Sequence, residues 1–256
     1  MSSYLRWFGL CLVIGLVNIS WSENDLAPLA LHKPKIFLII DDLGDNLHLG
    51  KRIVGLPAPV NLSFLPSTPF AQRLATMGHN AGHDVMLHIP MEAFSREDLL
   101  GADALRMHHN KRQLETIFQR NIQLIPHVRG FNNHMGSRLT LSKPHMNWLM
   151  AMAREQHLYF VDSRTNALSE AYNIARQWGV PAIGRDVFLD PVQEGISVRQ
   201  QLFQALKVAD DKGLVVIIGH PFPATITMLE QELPYISKHY QLSSLAEHLD
   251  YQIQTQ

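Results

Sequence analysis

The sequence predicts a single α/β domain, built either as a distorted or incomplete (β/α) barrel or as a doubly wound open sheet. From Lys35 onward, short apolar runs rich in strand formers alternate with helical patterns, which is typical of repeated βα units around a mostly parallel sheet. Hydrophobic residues make up 46% of the chain and charged residues 18%, so the composition favours a buried core over disorder. About seven βα units in roughly 220 residues suit both architectures, and both bind ligands at the carboxyl ends of their strands.

Each predicted element comes from a local pattern: an apolar run for a strand, an amphipathic stretch for a helix. The predicted strands are Ile36 to Ile40, Val60 to Leu65, Asp84 to His88, one near Val128, Leu158 to Val161, Ala182 to Gly184 continuing to Phe188, and Leu214 to Ile218. The predicted helices are Phe70 to Met77, Lys111 to Leu124, Pro144 to Glu155, Ser169 to Trp178, Ser197 to Lys212 and Thr225 to Ser237. The resulting βα alternation runs through the whole chain after its first segment.

That first segment has the features of a secretory signal peptide. Met1 to Arg6 supplies positive charge, Trp7 to Ile19 is apolar, and Ser20 and Ser22 flank Trp21 at a cleavage site before Glu23. The apolar run is shorter than a membrane span of ~20 residues, so an uncleaved anchor is the less favoured alternative. We therefore expect an exported, periplasmic protein with no membrane span in its mature form. The expected organisation is a signal peptide over residues 1–22, a linker over 23–34 and the barrel domain over 35–250.

Charge and cysteine content restrict the partners and the metal ligands. A formal net charge of -1 removes the electrostatic basis for binding nucleic acid or an anionic membrane. The one cysteine, Cys11, lies in the predicted signal peptide, so histidine and carboxylate side chains must supply any metal site in the mature protein. The chain has 14 histidines to draw on. The oligomeric state does not follow from these observations.

Polar side chains follow nearly every predicted strand at its carboxyl end. Because these ends meet at one rim of a parallel sheet or barrel, the side chains are expected to converge there. The residues concerned are Asp41 and Asp42, His88, Asn132 with Asn133 and His134, Asp162 with Arg164, and His220. This rim is the candidate functional site.

The pair Asp41 and Asp42 is the most informative feature of the rim. A single aspartate after a strand is often the N-cap of the next helix. Two adjacent buried carboxylates repel each other unless a cation or a shared proton intervenes, and a metal is the simplest relief. His88 closes another strand, and a single helical turn would bring Glu92 to the same side. A structural role for His88, with its ring donating to a backbone carbonyl, is the alternative.

The other rim residues each have a structural alternative. The segment GFNNHMGS, residues 130–137, has the composition of a tight turn, although a turn does not by itself require His134. Asp162 and Arg164 would serve equally as a helix cap and an ion-pair partner. Arg185-Asp186 and Asp190-Pro191 are weaker candidates, since Asp-Pro is a common turn start. His220 precedes the stiff segment Pro221-Phe222-Pro223, which favours an acid–base group held at the rim.

Five motifs resemble, in order, the divergent polysaccharide deacetylase family, a branch of the superfamily that includes chitin and peptidoglycan deacetylases. They are IIDDLG, GHDVMLHIPME, GFNNHMGS, DSRT and IGHP, and the resemblance extends from about Lys33 to Leu249. It implies a deformed (β/α) barrel. It also implies that Asp41 is the catalytic base, that Asp42 and His88 bind a divalent metal, most often zinc, and that His220 is the catalytic acid.

The third metal ligand is the point where this sequence departs from the superfamily pattern. The superfamily pairs two histidines four residues apart, but position 92 is Glu92 here. His134 is the favoured third ligand and Glu92 the alternative. The superfamily's arginine motif is not plainly present. We expect Asn132, Asn133, Asp162 and Arg164 to contact substrate or to orient these groups.

The resemblance implies metal-dependent removal of N- or O-linked acetyl groups from an exported polysaccharide. Because of the altered motifs, a catalytically inactive carbohydrate-binding or envelope-interaction protein on the same fold is the alternative. A metal phosphoesterase is a weaker third hypothesis, since the sequence has no glycine-rich phosphate loop and little positive charge at the rim.

Overall fold

The computed structural model describes residues 33–57, 59–101 and 103–254, and the predicted signal peptide lies outside them. The strands are β1 Lys35–Leu43, β2 Asn61–Phe64, β3 Asp84–Met91, β4 Gly130–Met135, β5 Tyr159–Asp162, β6 Ala182–Gly184, β7 Val187–Phe188, β8 Leu214–Gly219 and β9 Gln241–Leu242. The helices are α1 Leu47–Val54, α2 Ala71–Asn80, α3 Lys111–Leu124, α4 Lys143–Glu155, α5 Ala171–Gln177, α6 Gly195–Lys212, α7 Pro223–His239 and α8 Leu245–Gln254. Within these ranges, no helix combines the length and apolar character needed to cross a bilayer.

The strands form one parallel sheet in the order β6-β5-β4-β3-β2-β1-β8-β7, with β9 pairing to β1. The order from β1 to β6 never reverses, whereas a doubly wound sheet turns back at a switch point. The edge strands β6 and β7 are joined by only Arg185 and Asp186. Three residue steps span at most about 11 Å, so the sheet must curl until its edges come close. The predicted α/β class is confirmed, and the architecture is the incomplete (β/α) barrel.

Several predicted boundaries were wrong. The sheet has nine strands rather than about seven, because Arg185 and Asp186 separate β6 from β7 and because β9 was missed. The short helix α1 and the terminal helix α8 were missed as well. The segment 130–137 contributes strand β4 instead of a tight turn, since β3 and β5 supply ladder partners on both sides. No helical turn follows His88, because β3 stays paired with β4 as far as Met91.

The two faces of the curled sheet carry different side chains, as the two-residue period of a strand requires. On β1, Ile36, Leu38 and Ile40 pack outward beneath the helices. Phe37 and Ile39 point inward and join a second cluster inside the curl. The other members of that inner cluster are Met86, Tyr159, Val161, Val216, Ile218, Leu245, Ala246 and Leu249. Further along the strands, polar residues replace these apolar ones on the inner face.

Helix α8 covers the amino-terminal end of the inner cluster. Asp84, at the start of β3, accepts hydrogen bonds from the Tyr159 and Ser244 hydroxyls and from the Ala246 N–H, at 2.8 to 3.0 Å. The Tyr159 ring crosses over Gly130 to reach this carboxylate, and a Cβ atom at Gly130 would lie only 2.3 Å from the ring. Glycine at 130 is therefore required by the close passage of the ring.

We predict that Gly130→Ala lowers the free energy of unfolding by about 1–3 kcal/mol, the usual cost of overpacking, because Tyr159 must leave its bond to Asp84. Urea denaturation followed by circular dichroism measures this. Gly195→Ala is the matched control, since a Cβ atom there meets no atom within 4 Å. Its effect is expected to stay within about 0.5–1 kcal/mol. Equal losses in the two variants would contradict the role of the ring.

Candidate active site

Two adjacent aspartates, Asp41 and Asp42, lie near the carboxyl end of strand β1. Their side chains approach the same ring, that of His88. Asp41 continues the inward alternation of Phe37 and Ile39 and is 2% exposed. Asp42 has a left-handed backbone conformation, with φ of 54°, where the register between β1 and β2 shifts. This irregularity frees Asp42 from the alternation that would direct it to the outer face. Strained backbone at a residue other than glycine is a feature that clusters at functional sites.

Asp42, His88 and His134 form a cluster suited to a cation. Asp42 Oδ1 lies 2.9 Å from His134 Nδ1 and 3.2 Å from His88 Nε2, and the two nitrogens lie 3.2 Å apart. Ligands at zinc–ligand distances of 2.0–2.1 Å in a tetrahedral site are separated by about 3.3 Å, which matches this cluster. Within the described ranges, it is the one group of three or more acidic, imidazole or thiol ligands close enough to share an ion.

The hydrogen bonding of Asp42 also fits a bound cation. Its buried Oδ1 lies within 3.2 Å of both imidazole nitrogens but makes no well-aligned hydrogen bond to either. A buried carboxylate oxygen without a donor is costly unless a positive charge satisfies it. Burial would raise the pKa of Asp42, but the adjacent His134 and His88 outweigh burial and hold that pKa well below its usual range. Asp42 is therefore an anion, ready to bind a metal.

Asn132 determines which nitrogen of His88 faces the cluster. Its amide nitrogen donates to both oxygens of Asp41, at 2.8 and 3.0 Å, so its oxygen faces the other way. That oxygen accepts hydrogen bonds from Ser63 Oγ at 2.6 Å and from His88 Nδ1 at 2.7 Å. With its proton on Nδ1, His88 presents the Nε2 lone pair to the cluster, as a metal ligand requires.

His220 lies on the other side of Asp42, with Nε2 3.9 Å from Asp42 Oδ2. Asp190, fully buried, accepts hydrogen bonds from the ring Nδ1 of His220 at 2.8 Å, from its backbone N–H at 2.7 Å and from the Thr225 hydroxyl at 2.8 Å. Burial opposes the charged ring, but Asp190 and Asp42 outweigh it and raise the pKa of His220 to about 9. The metal-free protein therefore carries a protonated His220 at neutral pH.

The Asp41 carboxylate lies near His88 and His220. Its Oδ2 lies 3.7 Å from His88 Nε2. Burial raises the pKa of Asp41, while His88, His220 and the amide of Asn132 act in the opposite direction. Both of its oxygens accept hydrogen bonds from the Asn132 amide, which holds the Asp41 carboxylate in place beside the cluster.

Glu92, the alternative ligand, lies away from the cluster. Its oxygens accept hydrogen bonds from Arg138 Nη1 and from the Met107 N–H, both at 2.8 Å. The distance follows from the strand, because residues four apart along a strand are separated by about 13 Å, against about 6 Å along a helix. Glu92 instead fixes the long loop between β3 and α3 against the segment after β4.

Asn133, Asp162 and Arg164 form hydrogen bonds that connect the rim loops to one another. These three residues were expected to contact substrate or to orient other groups. Asp162 accepts hydrogen bonds from the Arg164 and Tyr172 N–H groups and from Ser169, near the start of α5. The Arg164 guanidinium donates to the Arg185 carbonyl. Asn133 accepts from the Ser163 N–H and donates to the Met135 carbonyl. Asn132 is the one of the four proposed residues that contacts Asp41 and His88.

Comparison with known sequences identifies the group to which this chain is related. Residues 38–249 match the profile described as divergent polysaccharide deacetylase. The chain belongs to the divergent polysaccharide deacetylase family. The resemblance inferred from its five motifs is thereby confirmed.

Two relatives and two solved structures extend this result. YibQ of Escherichia coli is 35% identical over 80% of this chain, and the match covers 65% of YibQ. A Haemophilus influenzae protein is 32% identical over 81% of this chain and 74% of its own length. An Agrobacterium tumefaciens protein of 20% identity has a TM-score of 0.81, covering 86% of this chain and 90% of its own. The catalytic domain of a peptidoglycan N-acetylglucosamine deacetylase from Eubacterium rectale, 14% identical, has a TM-score of 0.52, covering 84% and 90%. These structures show the same fold.

In this member of the deacetylase family, Asp190 is the site residue whose role is least evident from the sequence. The pair Asp190-Pro191 is typical of a turn start. The missed signal was its position, because it closes the apolar run from Val187 to Leu189 just as the other site residues close theirs. Arg185 was likewise a weak candidate. Its half-buried guanidinium donates to the Ser163 and Arg164 carbonyls and lies near Asp41.

We predict that Asp190→Asn lowers the pKa of His220 from about 9 toward its ordinary value of 6.5, because the ring loses its anionic partner. A proton NMR titration of the His220 ring in chelator-treated protein measures the pKa. Asp186→Asn is the matched control, since Asp186 bonds to Lys212 and the Val216 N–H instead. An unchanged titration in Asp190→Asn would refute the control of His220 by Asp190.

Proposed function

We propose that this chain is an exported, metal-dependent hydrolase that removes N- or O-linked acetyl groups from a cell-envelope or extracellular polysaccharide. The observation that carries the proposal is the Asp42–His88–His134 cluster, whose ligand atoms lie 2.9 to 3.2 Å apart, placed between Asp41 and His220. The family assignment and the deacetylase fold of the Eubacterium rectale neighbour support the reaction class. The signal-like first 22 residues support an exported substrate.

The residues divide the chemistry of amide or ester hydrolysis among them. Asp42, His88 and His134 would hold a divalent cation, and a set of one carboxylate and two imidazoles suits zinc. The cation would supply Lewis-acid activation of water and the acyl carbonyl. Asp41 takes the proton of the attacking water. His220 donates a proton to the departing nitrogen or oxygen, and Asp190 holds its ring for this transfer. Asn132 holds the Asp41 and His88 side chains in fixed positions relative to each other.

We predict about one metal ion per chain in the purified protein, measured by elemental analysis without chelator. Alanine at Asp42, His88 or His134 is expected to lower metal affinity 10- to 100-fold or more. Glu92→Gln is the control, because its carboxylate serves Arg138 and Met107. Loss of metal in Glu92→Gln with retention in His134→Ala would show that the alternative ligand is correct. A wild-type protein without metal under zinc supplementation would refute the hydrolase.

We further predict that Asp41→Asn and His220→Gln each lower acetate release from acetylated glycans by 100-fold or more while the metal content is unchanged. General acid and base catalysis contributes factors of this size, and neither residue belongs to the ligand cluster. Acetate assays beside elemental analysis measure both quantities. Glycan binding without acetate release by the wild-type protein would instead favour the inactive carbohydrate-binding protein.

A further inference from the structure

A cleft of about 220 Å³ opens beside the proposed reaction centre, with Asp42 and His220 in its lining. The walls come from the segment between β1 and α1, from α1 itself and from the segment after β8. The side chains that line most of it are apolar: Leu43, Leu49, Pro221 and Phe222. The cleft is therefore next to the position where Asp41 and His220 would act on a bound acyl group.

Four of the residues that line the cleft are polar or charged: Asp42, Asp45, Asn46 and His220. Asp45 is exposed, and the other three are engaged elsewhere. Asn46 uses its side-chain oxygen to cap α1 through the Leu49 N–H, at 3.0 Å. His220 uses Nδ1 to bind Asp190, and Asp42 belongs to the metal cluster. A sugar ring needs several hydrogen-bond partners at fixed positions, whereas an alkyl chain needs only apolar lining. The lining thus fits the acyl side of the substrate better than its sugar side.

The volume of the cleft exceeds what an acetyl group requires. A protein cavity of ~150 Å³ is large enough to bind benzene, with six carbon atoms, and acetyl adds a single methyl group to the carbonyl. We propose that the cleft binds acyl chains longer than acetyl, so that the substrates include glycans carrying short-chain acyl groups such as butyryl. This inference rests on the proposed hydrolase function.

The reaction is unchanged in kind for a longer chain. The oxygen of water forms a bond to the carbonyl carbon, and the bond from that carbon to the glycan nitrogen or oxygen breaks. One proton of the water goes to Asp41, and His220 protonates the leaving group. The products are the short-chain carboxylic acid and the free amine or alcohol, with no other reactant needed.

Leu49 is the residue through which the cleft can be filled. Helix α1 is fixed from behind, because a Cβ atom at Gly50 would lie 2.4 Å from Leu74 of α2. Leu49 lines the cleft from a helix that packs closely against α2, and tryptophan at 49 would occupy the space of an acyl chain. The neighbouring His48 is exposed and does not line the cleft, so His48→Trp is the matched control.

The first test compares 4-nitrophenyl butyrate with 4-nitrophenyl acetate as substrates of the zinc-loaded full chain, after subtraction of uncatalysed hydrolysis. Each buried methylene is worth about a fourfold gain, so the ratio of kcat/KM for butyrate to acetate is expected to reach roughly 15. Leu49→Trp is expected to lower this ratio at least tenfold, and His48→Trp to change it by less than about threefold. A preference for acetate that is independent of Leu49→Trp would overturn the assignment.

A binding measurement separates this inference from the hydrolase proposal. Saturation-transfer NMR with N-butyrylglucosamine and N-acetylglucosamine, on zinc-loaded Asp41→Asn, reports which acyl protons contact the protein. Stronger transfer to the butyryl methyl, lost in Asp41→Asn combined with Leu49→Trp, supports the acyl cleft even if no ester is hydrolysed, in which case only the hydrolase fails. Absence of transfer to the butyryl chain, together with absence of butyrate hydrolysis, overturns the cleft assignment.

Discussion

The adjacent carboxylates of Asp41 and Asp42 are the constraint around which the inner face of this molecule is arranged. Asp42 Oδ1 lies 2.9 and 3.2 Å from two imidazole nitrogens, and Asp41 is buried next to it. Two carboxylates so close together in a low-dielectric interior need positive charge nearby. His88, His134 and His220 are placed to share in that compensation, and a cation in their midst would complete it.

The sheet can hold this charge because its inner face changes character along the strands. Near the amino ends, Phe37, Met86 and Tyr159 pack with residues of α8 in a buried apolar cluster. One or two alternations later, the same inner face presents Asp41 and His88. Asn132 lies between them and satisfies both. The two-residue period of the strands therefore places the apolar cluster and the polar site on the same face of the sheet.

Much of the fold and of the candidate site could be predicted from the sequence. The features that could not be predicted depend on contacts between distant parts of the chain or on very short strands. The apolar run IFLII followed by two aspartates predicted the strand and an acidic pair near its carboxyl end, and the family resemblance implied that Asp42 is the metal ligand of that pair. Glu92 stayed a candidate ligand because its distance from the cluster depends on whether β3 continues past His88, and that is decided by pairing with β4, a tertiary contact. Asp190 was undervalued for a similar reason: its partners, His220 and Thr225, lie 30 and 35 residues further along the chain. The short strands β7 and β9 are too brief to carry a period.

The join between β6 and β7 has a consequence for how molecules of this protein meet one another. Open parallel sheets end in strands with unpaired N–H and C=O groups, which can pair with another chain and begin aggregation. Here the two edge strands have only three and two residues, and the sheet curls to bring them close to each other. Little unpaired backbone is left for an incoming strand. Short edge strands placed close together in this way disfavour edge-to-edge association.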